Sequence, residues 1–277
     1  METLLAKERG FCFGVKRAIG IVEEVARESL KPVHTLAPIV HNVRVVQKLQ
    51  GLGITVTEDI SELEGGILVT RAHGVAPRIL EEAKSKGLRV IDATCPLVVK
   101  VQKLAKSLYD DGYQVIIFGK KEHPEVKGIA GWIGDNAIIV EDLETLRALE
   151  RRKKIGVLSQ TTQVLSEYQQ VVGSLIGKCQ ELRAYNTICN ATSQRQEAAT
   201  AVAQRVDVMI VVGDHHSSNT RKLAEICRKV NERTFHISTA DDLNTHWFAA
   251  AKTAGVTAGA STPDEAIYEV VIRLGEL

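Results

Sequence analysis

The 277-residue sequence carries almost no excess of charge: the formal net charge is +1 and the isoelectric point is near 7.7. That removes the electrostatic reason to expect nucleic acid or an anionic membrane as a partner. Long hydrophobic runs are missing as well. The longest, such as Val208-Met209-Ile210-Val211-Val212, has the size of a strand. It falls far short of the roughly 20 residues that span a bilayer. The first residues lack a basic segment followed by an apolar core, the pattern of a secretory leader, so the expected compartment is the cytoplasm. Five cysteines are an odd number in a long chain. They do not make a secreted disulfide framework and suit a reducing compartment. None belongs to a local C-x-x-C pair of the kind that marks ferredoxins and zinc ribbons.

What is present is an internal repeat. Apolar content of 44% and charged content of 25% are ordinary for a globular chain. The length exceeds the usual size of a single core, so two or three small units are expected. Cys12, Cys95 and Cys189 divide the chain into near-equal thirds. Each ends a short apolar stretch and opens a run with helical period. Val15, Ala18, Ile19, Val22, Val25 and Ala26 follow the first. Leu97, Val98, Val101, Leu104, Ala105 and Leu108 follow the second, behind Pro96, a favoured first helical residue. An alanine-rich run from Ala191 to Val206 follows the third.

A strand comes next in each third: residues 32–36, 114–118 and 208–212. The last two are unbroken apolar runs, as strands covered on both faces require. Each strand leads into a polar loop, holding His41-Asn42, His123-Pro124-Glu125, or His216-Ser217-Ser218-Asn219. A helix and a further strand then lead into Thr70-Arg71-Ala72-His73-Gly74, Ser159-Gln160-Thr161-Thr162, or Ala258-Gly259-Ala260-Ser261. The repeat of about 90 residues is domain-sized rather than solenoid-sized.

The fold predicted is α/β. Three small parallel-sheet units span residues 13–94, 95–188 and 189–277, and the N-terminal strand of residues 1–12 completes the last. They are expected to form a pseudo-threefold trefoil around a central metal-cluster site. Ligands of open parallel sheets bind beyond the carboxyl ends of the strands, where all these polar corners lie.

Three thiols at equivalent corners can meet on a common axis. Helix N-termini favour the thiolate form of cysteine, and thiolates are the ligands of iron–sulfur clusters and soft metals. Three of them leave one metal position open, which argues for catalysis at the metal over simple electron carriage. Cys179 and Cys227 break the repeat and are expected in helical segments as small apolar residues. His41, His73, His123, Ser217, Ser218, Asn219 and Ser261 are groups suited to phosphate oxygens. His34, His215, His236 and His246 are read as structural or solvated. Glu125 is the only carboxylate in the six loop segments and suits proton delivery. Thr161 and Thr162 could position a substrate hydroxyl or relay that proton. The run Arg151-Arg152-Lys153-Lys154 reads as a solvated loop, with docking of an acidic electron donor as the alternative.

The motifs together resemble a known family. They are Gly10-Phe11-Cys12-Phe13-Gly14-Val15, Arg71-Ala72-His73-Gly74-Val75, Asp92-Ala93-Thr94-Cys95-Pro96, His123-Pro124-Glu125-Val126, Ser159-Gln160-Thr161-Thr162, Ile188-Cys189-Asn190-Ala191-Thr192, Ser217-Ser218-Asn219 and residues 255–261. In this order they resemble the LytB family of 4-hydroxy-3-methylbut-2-enyl diphosphate reductases, the last step of non-mevalonate isoprenoid synthesis. The resemblance implies one [4Fe–4S] cluster per chain on Cys12, Cys95 and Cys189. It implies an allylic diphosphate held by His41, His73, His123, Ser217, Ser218, Asn219 and Ser261. Glu125 would be the proton source, and Thr161 or Thr162 would lie near the substrate hydroxyl. A ferredoxin- or flavodoxin-type donor would supply two electrons for reductive dehydroxylation to isopentenyl and dimethylallyl diphosphate. Two places depart from the family pattern: His215-His216 before the Ser-Ser-Asn, and Lys127 after Val126.

Overall fold

Every strand pairing is parallel, and the strands fall into three four-stranded sheets with one plan. The computed structural model describes residues 1–277. In chain order the elements are β1 (Glu2–Leu5), α1 (Phe13–Glu28), β2 (Val33–Leu36), α2 (Val43–Gly51), β3 (Thr55–Thr57), β4 (Ile67–Val69), α3 (Pro77–Ser85) and β5 (Arg89–Ile91). There follow α4 (Pro96–Asp110), β6 (Gln114–Phe118), α5 (Pro124–Gly131), β7 (Ile138–Val140), β8 (Arg152–Ser159), α6 (Leu165–Ile176) and β9 (Cys179–Ala184). The chain ends with α7 (Asn190–Ala203), β10 (Val208–Val212), α8 (Ser218–Arg228), β11 (Thr234–Ile237), β12 (Thr253–Ala258) and α9 (Asp264–Gly275).

The sheet orders are β1-β12-β10-β11, β5-β4-β2-β3 and β9-β8-β6-β7. Each begins at an edge strand, β1, β5 or β9, whose carboxyl end leads to Cys12, Cys95 or Cys189. The chain also divides into two compact units. One comprises Met1–Lys16, Val40–Gln47 and Asn190–Leu277, the other Arg17–Ile39 and Lys48–Cys189.

In the first unit the N-terminal strand pairs with β12, Glu2 beside Thr253 through Leu5 beside Val256. The central strand β10 is buried along its whole length, between β11 and β12. Its five β-branched or long apolar side chains pack against Ala199, Val202 and Leu223 on one face and Ile267, Val270 and Leu274 on the other. This two-sided cover is why the sequence there shows no alternation.

In the second unit the periodicity of α4 separates its faces. Val98, Val101, Ala105 and Leu108 are buried, while Lys100, Lys103 and Lys106 are exposed. Burying each such aliphatic side chain stabilises by about 1.5–3 kcal/mol. Leu108 reaches the sheet because Gly156 lies opposite; a Cβ there would stand 2.7 Å from the leucine methyls. Helices α3, α4 and α5 each begin with proline, whose missing N–H costs nothing in a first turn.

Two local expectations need correction. The sequence shows two strands after each cysteine and a short apolar stretch, itself a strand, before it; each sheet has a fourth strand besides these: β3, β7 and β11. These are edge strands of three or four residues, too short to establish a period. Cys179 is not helical. Helix α6 ends at Ile176, and Cys179 opens β9 opposite Arg152. Cys227 does lie in α8, fully buried. No helix is long and apolar enough to cross a membrane.

Candidate active site

The second unit carries the acid. Glu125 sits in the first turn of α5, behind Pro124 and the cap residue His123, whose Nδ1 accepts from the Glu125 backbone N–H at 3.2 Å. Glu125 as a whole is 1% exposed. Oε1 accepts from the Thr161 backbone N–H at 2.7 Å and Oε2 from the Thr161 hydroxyl at 2.8 Å. Burial pushes the Glu125 carboxyl up to about 7, against the two Thr161 hydrogen bonds, which pull it down. No cationic side chain offsets the loss of hydration. A carboxyl with this pKa gives and takes a proton near neutrality.

Which threonine serves the acid is decided by Gln160. Its backbone N–H bonds Phe118 O, fixing the loop after β8 beside β6. Its side-chain amide donates to the Thr162 hydroxyl at 2.8 Å, and its Oε1 accepts from Lys120 N at 3.1 Å. Thr162 is therefore turned to Gln160, and Thr161 to Glu125. His73, on the loop after β4, meets His123 edge to face with ring centroids 5.4 Å apart. His73 is followed by Gly74 at φ +75°, where a Cβ would come within 2.5 Å of the Gln102 amide. Only glycine lets this loop lie against α4.

Cys95 and Cys189 occupy matching places. The Cys95 backbone N–H bonds Ala72 O, in the loop after β4, and the Cys189 N–H bonds Thr161 O, in the loop after β8. In the first unit, Cys12 N–H bonds Ala260 O, in the loop after β12. Each cysteine loop is thus tied to the loop of the next strand inward in its own sheet. None of the three forms a disulfide, and all are half-buried.

The first unit also carries the serine and asparagine corner. Ser217 caps α8, accepting from Thr220 N, and Ser218 and Asn219 are its first helical residues, both buried. Asn219 Oδ1 accepts from Ala260 N at 3.0 Å, binding this helix start to the β12 loop. Ser261 is buried and donates to the His41 carbonyl at 3.1 Å. Buried hydroxyls and an amide at a helix N-terminus suit an anion. The His215 and His236 rings lie tilted at 49° with centroids 4.2 Å apart, and His236 Nε2 lies 2.8 Å from the Gly213 carbonyl oxygen. These histidines support the loop entering Ser217.

Sequence reasoning missed two supporting residues. Asp92 Oδ1 accepts from the Thr70 hydroxyl at 2.8 Å, from Thr94 N at 2.9 Å and from the Thr94 hydroxyl. Burial raises its carboxyl, but these bonds and Arg17 outweigh it and hold the group below its usual range. The carboxylate clasps the loop entering Cys95, and its place in Asp92-Ala93-Thr94-Cys95 was the available signal. Arg195, on α7 and 3% exposed, donates to the Gly10 carbonyl at 2.8 Å and steadies the Cys12 loop. Nothing in its local sequence announces that.

The molecule is a three-sheet parallel α/β protein with a buried acid, its carboxyl raised to about 7, at one set of strand ends and an anion-suited corner at another. The model of the LytB protein family matches residues 3–275, and the chain belongs to that family. It is 45% identical to a 4-hydroxy-3-methylbut-2-enyl diphosphate reductase of Pelobacter propionicus, with 100% of this chain and 99% of the relative covered. Identity to the same-named protein of Aquifex aeolicus is 41%, with 100% and 97% covered. A solved structure of (E)-4-hydroxy-3-methyl-but-2-enyl diphosphate reductase, described as the terminal enzyme of the non-mevalonate pathway, is 42% identical over the whole of both chains, with TM-score 0.73. That of the Plasmodium falciparum E-1-hydroxy-2-methyl-but-2-enyl-4-diphosphate reductase is 33% identical, with TM-score 0.93 over 98% of this chain and 87% of that one.

Proposed function

We propose that this protein reduces 4-hydroxy-3-methylbut-2-enyl diphosphate to isopentenyl diphosphate and dimethylallyl diphosphate. Two electrons and two protons enter. The allylic C–O bond breaks, its oxygen leaves as water, and a C–H bond forms at one or the other end of the allyl unit. The observation that carries this reading is the Glu125–Thr161 pair, a buried acid titrating near 7 in a chain whose relatives bear the reductase name.

The residues fit the cluster such a reaction calls for. Cys12, Cys95 and Cys189 are outside any disulfide, half-buried, and placed at helix starts by one recurring backbone hydrogen bond. Burial pushes the Cys179 and Cys227 thiols up, that of Cys227 to about 12. That makes them poor thiolate donors. Cys12, Cys95 and Cys189 would hold one [4Fe–4S] cluster. When bound, it supplies electrons and, at the iron without a thiolate, a Lewis-acidic position for the substrate oxygen.

The chain's own groups do the rest. His41, His73, His123, Ser217, Ser218, Asn219 and Ser261 would hold the diphosphate, with the N-termini of α5 and α8 adding favourable dipoles. Protonated Glu125 donates to the Thr161 hydroxyl, which turns its own hydrogen toward the leaving oxygen. After transfer the ionised carboxylate accepts from the Thr161 N–H and hydroxyl, the arrangement observed.

The test is anaerobic turnover with dithionite-reduced methyl viologen, alongside iron analysis. Wild type should be brown and form both products. Glu125→Gln should bind substrate with little loss but turn over about 10²-fold more slowly, the scale of a lost general acid. A colourless protein that binds the diphosphate without reducing it would instead be a redox-silent phosphate-binding enzyme. Near-normal turnover by Glu125→Gln would move the proton source elsewhere.

A further inference from the structure

Reduction needs a carrier that delivers electrons one or two at a time, and the sequence held one candidate landing place, Arg151-Arg152-Lys153-Lys154. The structure argues against it. Arg152 opens β8, so about 23 Å of strand separate it from Ser159 at the carboxyl end. Arg152 is paired with Glu150, and Lys154 lies over the Tyr113 ring at 5.1 Å. The patch is on the wrong end of its sheet and partly neutralised.

A different basic surface adjoins a proposed cluster ligand. A cleft of about 600 Å³ runs along α4, lined by Arg17, Asp92, Pro96, Val99, Lys100 and Lys103 among others. Pro96 follows Cys95 directly in the chain. Arg17 NH1 donates to the Thr94 carbonyl at 3.1 Å, which anchors a positive charge over the residue that precedes Cys95. Lys100 and Lys103 stand on the exposed face of the same helix. Lys106, further along, is tied to Asp110, whereas Lys100 and Lys103 make no ion pair. The single acid in the lining, Asp92, faces Thr70 and Thr94, leaving the cleft with an excess of positive charge. Pro96, Val99 and Leu104 add apolar surface to the lining, and Leu97, next in the chain to Pro96, is 44% exposed. Apolar surface interleaved with charge of one sign suits a transient, electrostatically steered protein interface.

We propose that this face of α4, with Arg17, is the docking site of a small acidic one-electron carrier protein. The carrier is oxidised by one electron at each docking, and two dockings supply one turnover. The site deepens the reductase reading and rests on it for the purpose of the electrons. The docking itself is tested by binding.

The variants are Lys100→Glu with Lys103→Glu, and as a control Arg151→Glu with Lys153→Glu. The probe is an oxidised plant-type [2Fe–2S] ferredoxin, titrated onto the anaerobically purified protein by interferometry at low and high salt. Wild-type affinity should fall with salt, as a steered charged interface requires. The Lys100/Lys103 variant should bind about 10-fold or more weakly at low salt with a shallower salt dependence. The control should bind as wild type. With methyl viologen as reductant, the Lys100/Lys103 variant should keep wild-type turnover and iron content. Absence of ferredoxin binding by wild type, unchanged binding by the Lys100/Lys103 variant, or a loss confined to the control would each overturn the proposal. Loss of iron in the Lys100/Lys103 variant would do so too, by making the lysines structural. Failure of wild type to turn over with methyl viologen, while ferredoxin still binds at α4, would count against the reductase reading alone.

Discussion

Glu125 makes stability depend on pH in the sense opposite to most carboxylates, and Glu125→Gln isolates that dependence. The carboxyl has an ordinary value of 4.5 when exposed and about 7 in the fold. The folded state therefore binds the proton more tightly than the unfolded chain. Below about pH 4.5 both states are protonated and the fold carries no penalty. Between about 4.5 and 7 only the folded state holds the proton, so stability falls as pH rises. Above about 7 both are ionised and the loss is complete. At 1.36 kcal/mol per unit, the full loss is about 3 kcal/mol. Glutamine cannot ionise, so the variant should gain on wild type by about that amount between pH 5 and 8. Urea unfolding of both proteins at several pH values measures it. The cost of refitting an amide opposite the Thr161 N–H is the same at all pH values, and any release of a bound group is common to the two proteins, so neither alters the trend of their difference. A flat difference across this range would show that Glu125 is solvated and ionised in the fold, with no raised carboxyl pKa.

Thr161→Val removes a bond that stabilises ionised Glu125, so its titration should move up from about 7, while Thr162→Val should leave it in place. Carboxyl infrared bands followed against pH would report either shift. Cys12→Ser, Cys95→Ser or Cys189→Ser should each abolish iron retention, and Cys179→Ser or Cys227→Ser should not; iron analysis with visible spectra decides. Gly259→Ala would put a Cβ 1.9 Å from the Thr220 hydroxyl oxygen, an overpacking cost of about 1–3 kcal/mol. It should lower Tm and disturb the Ser261 loop, and an unchanged Tm would mean that α8 can shift away.

The repeated plan is legible along the chain. Helical and strand periods are local properties, so the order of elements around Cys12, Cys95 and Cys189 could be read directly, as could buried strands such as Val208–Val212. Glu125 stood out because it is the lone acid among the strand-end loops. The edge strands β3, β7 and β11 escaped because three or four residues carry no usable period, and their pairing partners lie elsewhere in the chain. Cys179 was misplaced for a related reason: what ends α6 is a short turn at Gly177-Lys178, and what makes Cys179 a strand residue is its neighbour Arg152.

Tertiary structure decided the chemistry of individual groups. Thr161 and Thr162 are equivalent in sequence terms. Only the β6–β8 pairing, with Gln160 seated on Phe118, sends one to Glu125 and the other to Gln160. The pKa of Glu125 follows from burial among residues distant in the chain, and a pattern along the chain cannot encode a solvent environment. Basic residues are likewise visible one by one, but whether they share an open cleft or sit at the far end of a strand depends on where the fold puts them. Arg151–Lys154 is a conspicuous run along the chain, whereas Lys100 and Lys103 become neighbours of Arg17 only in the fold.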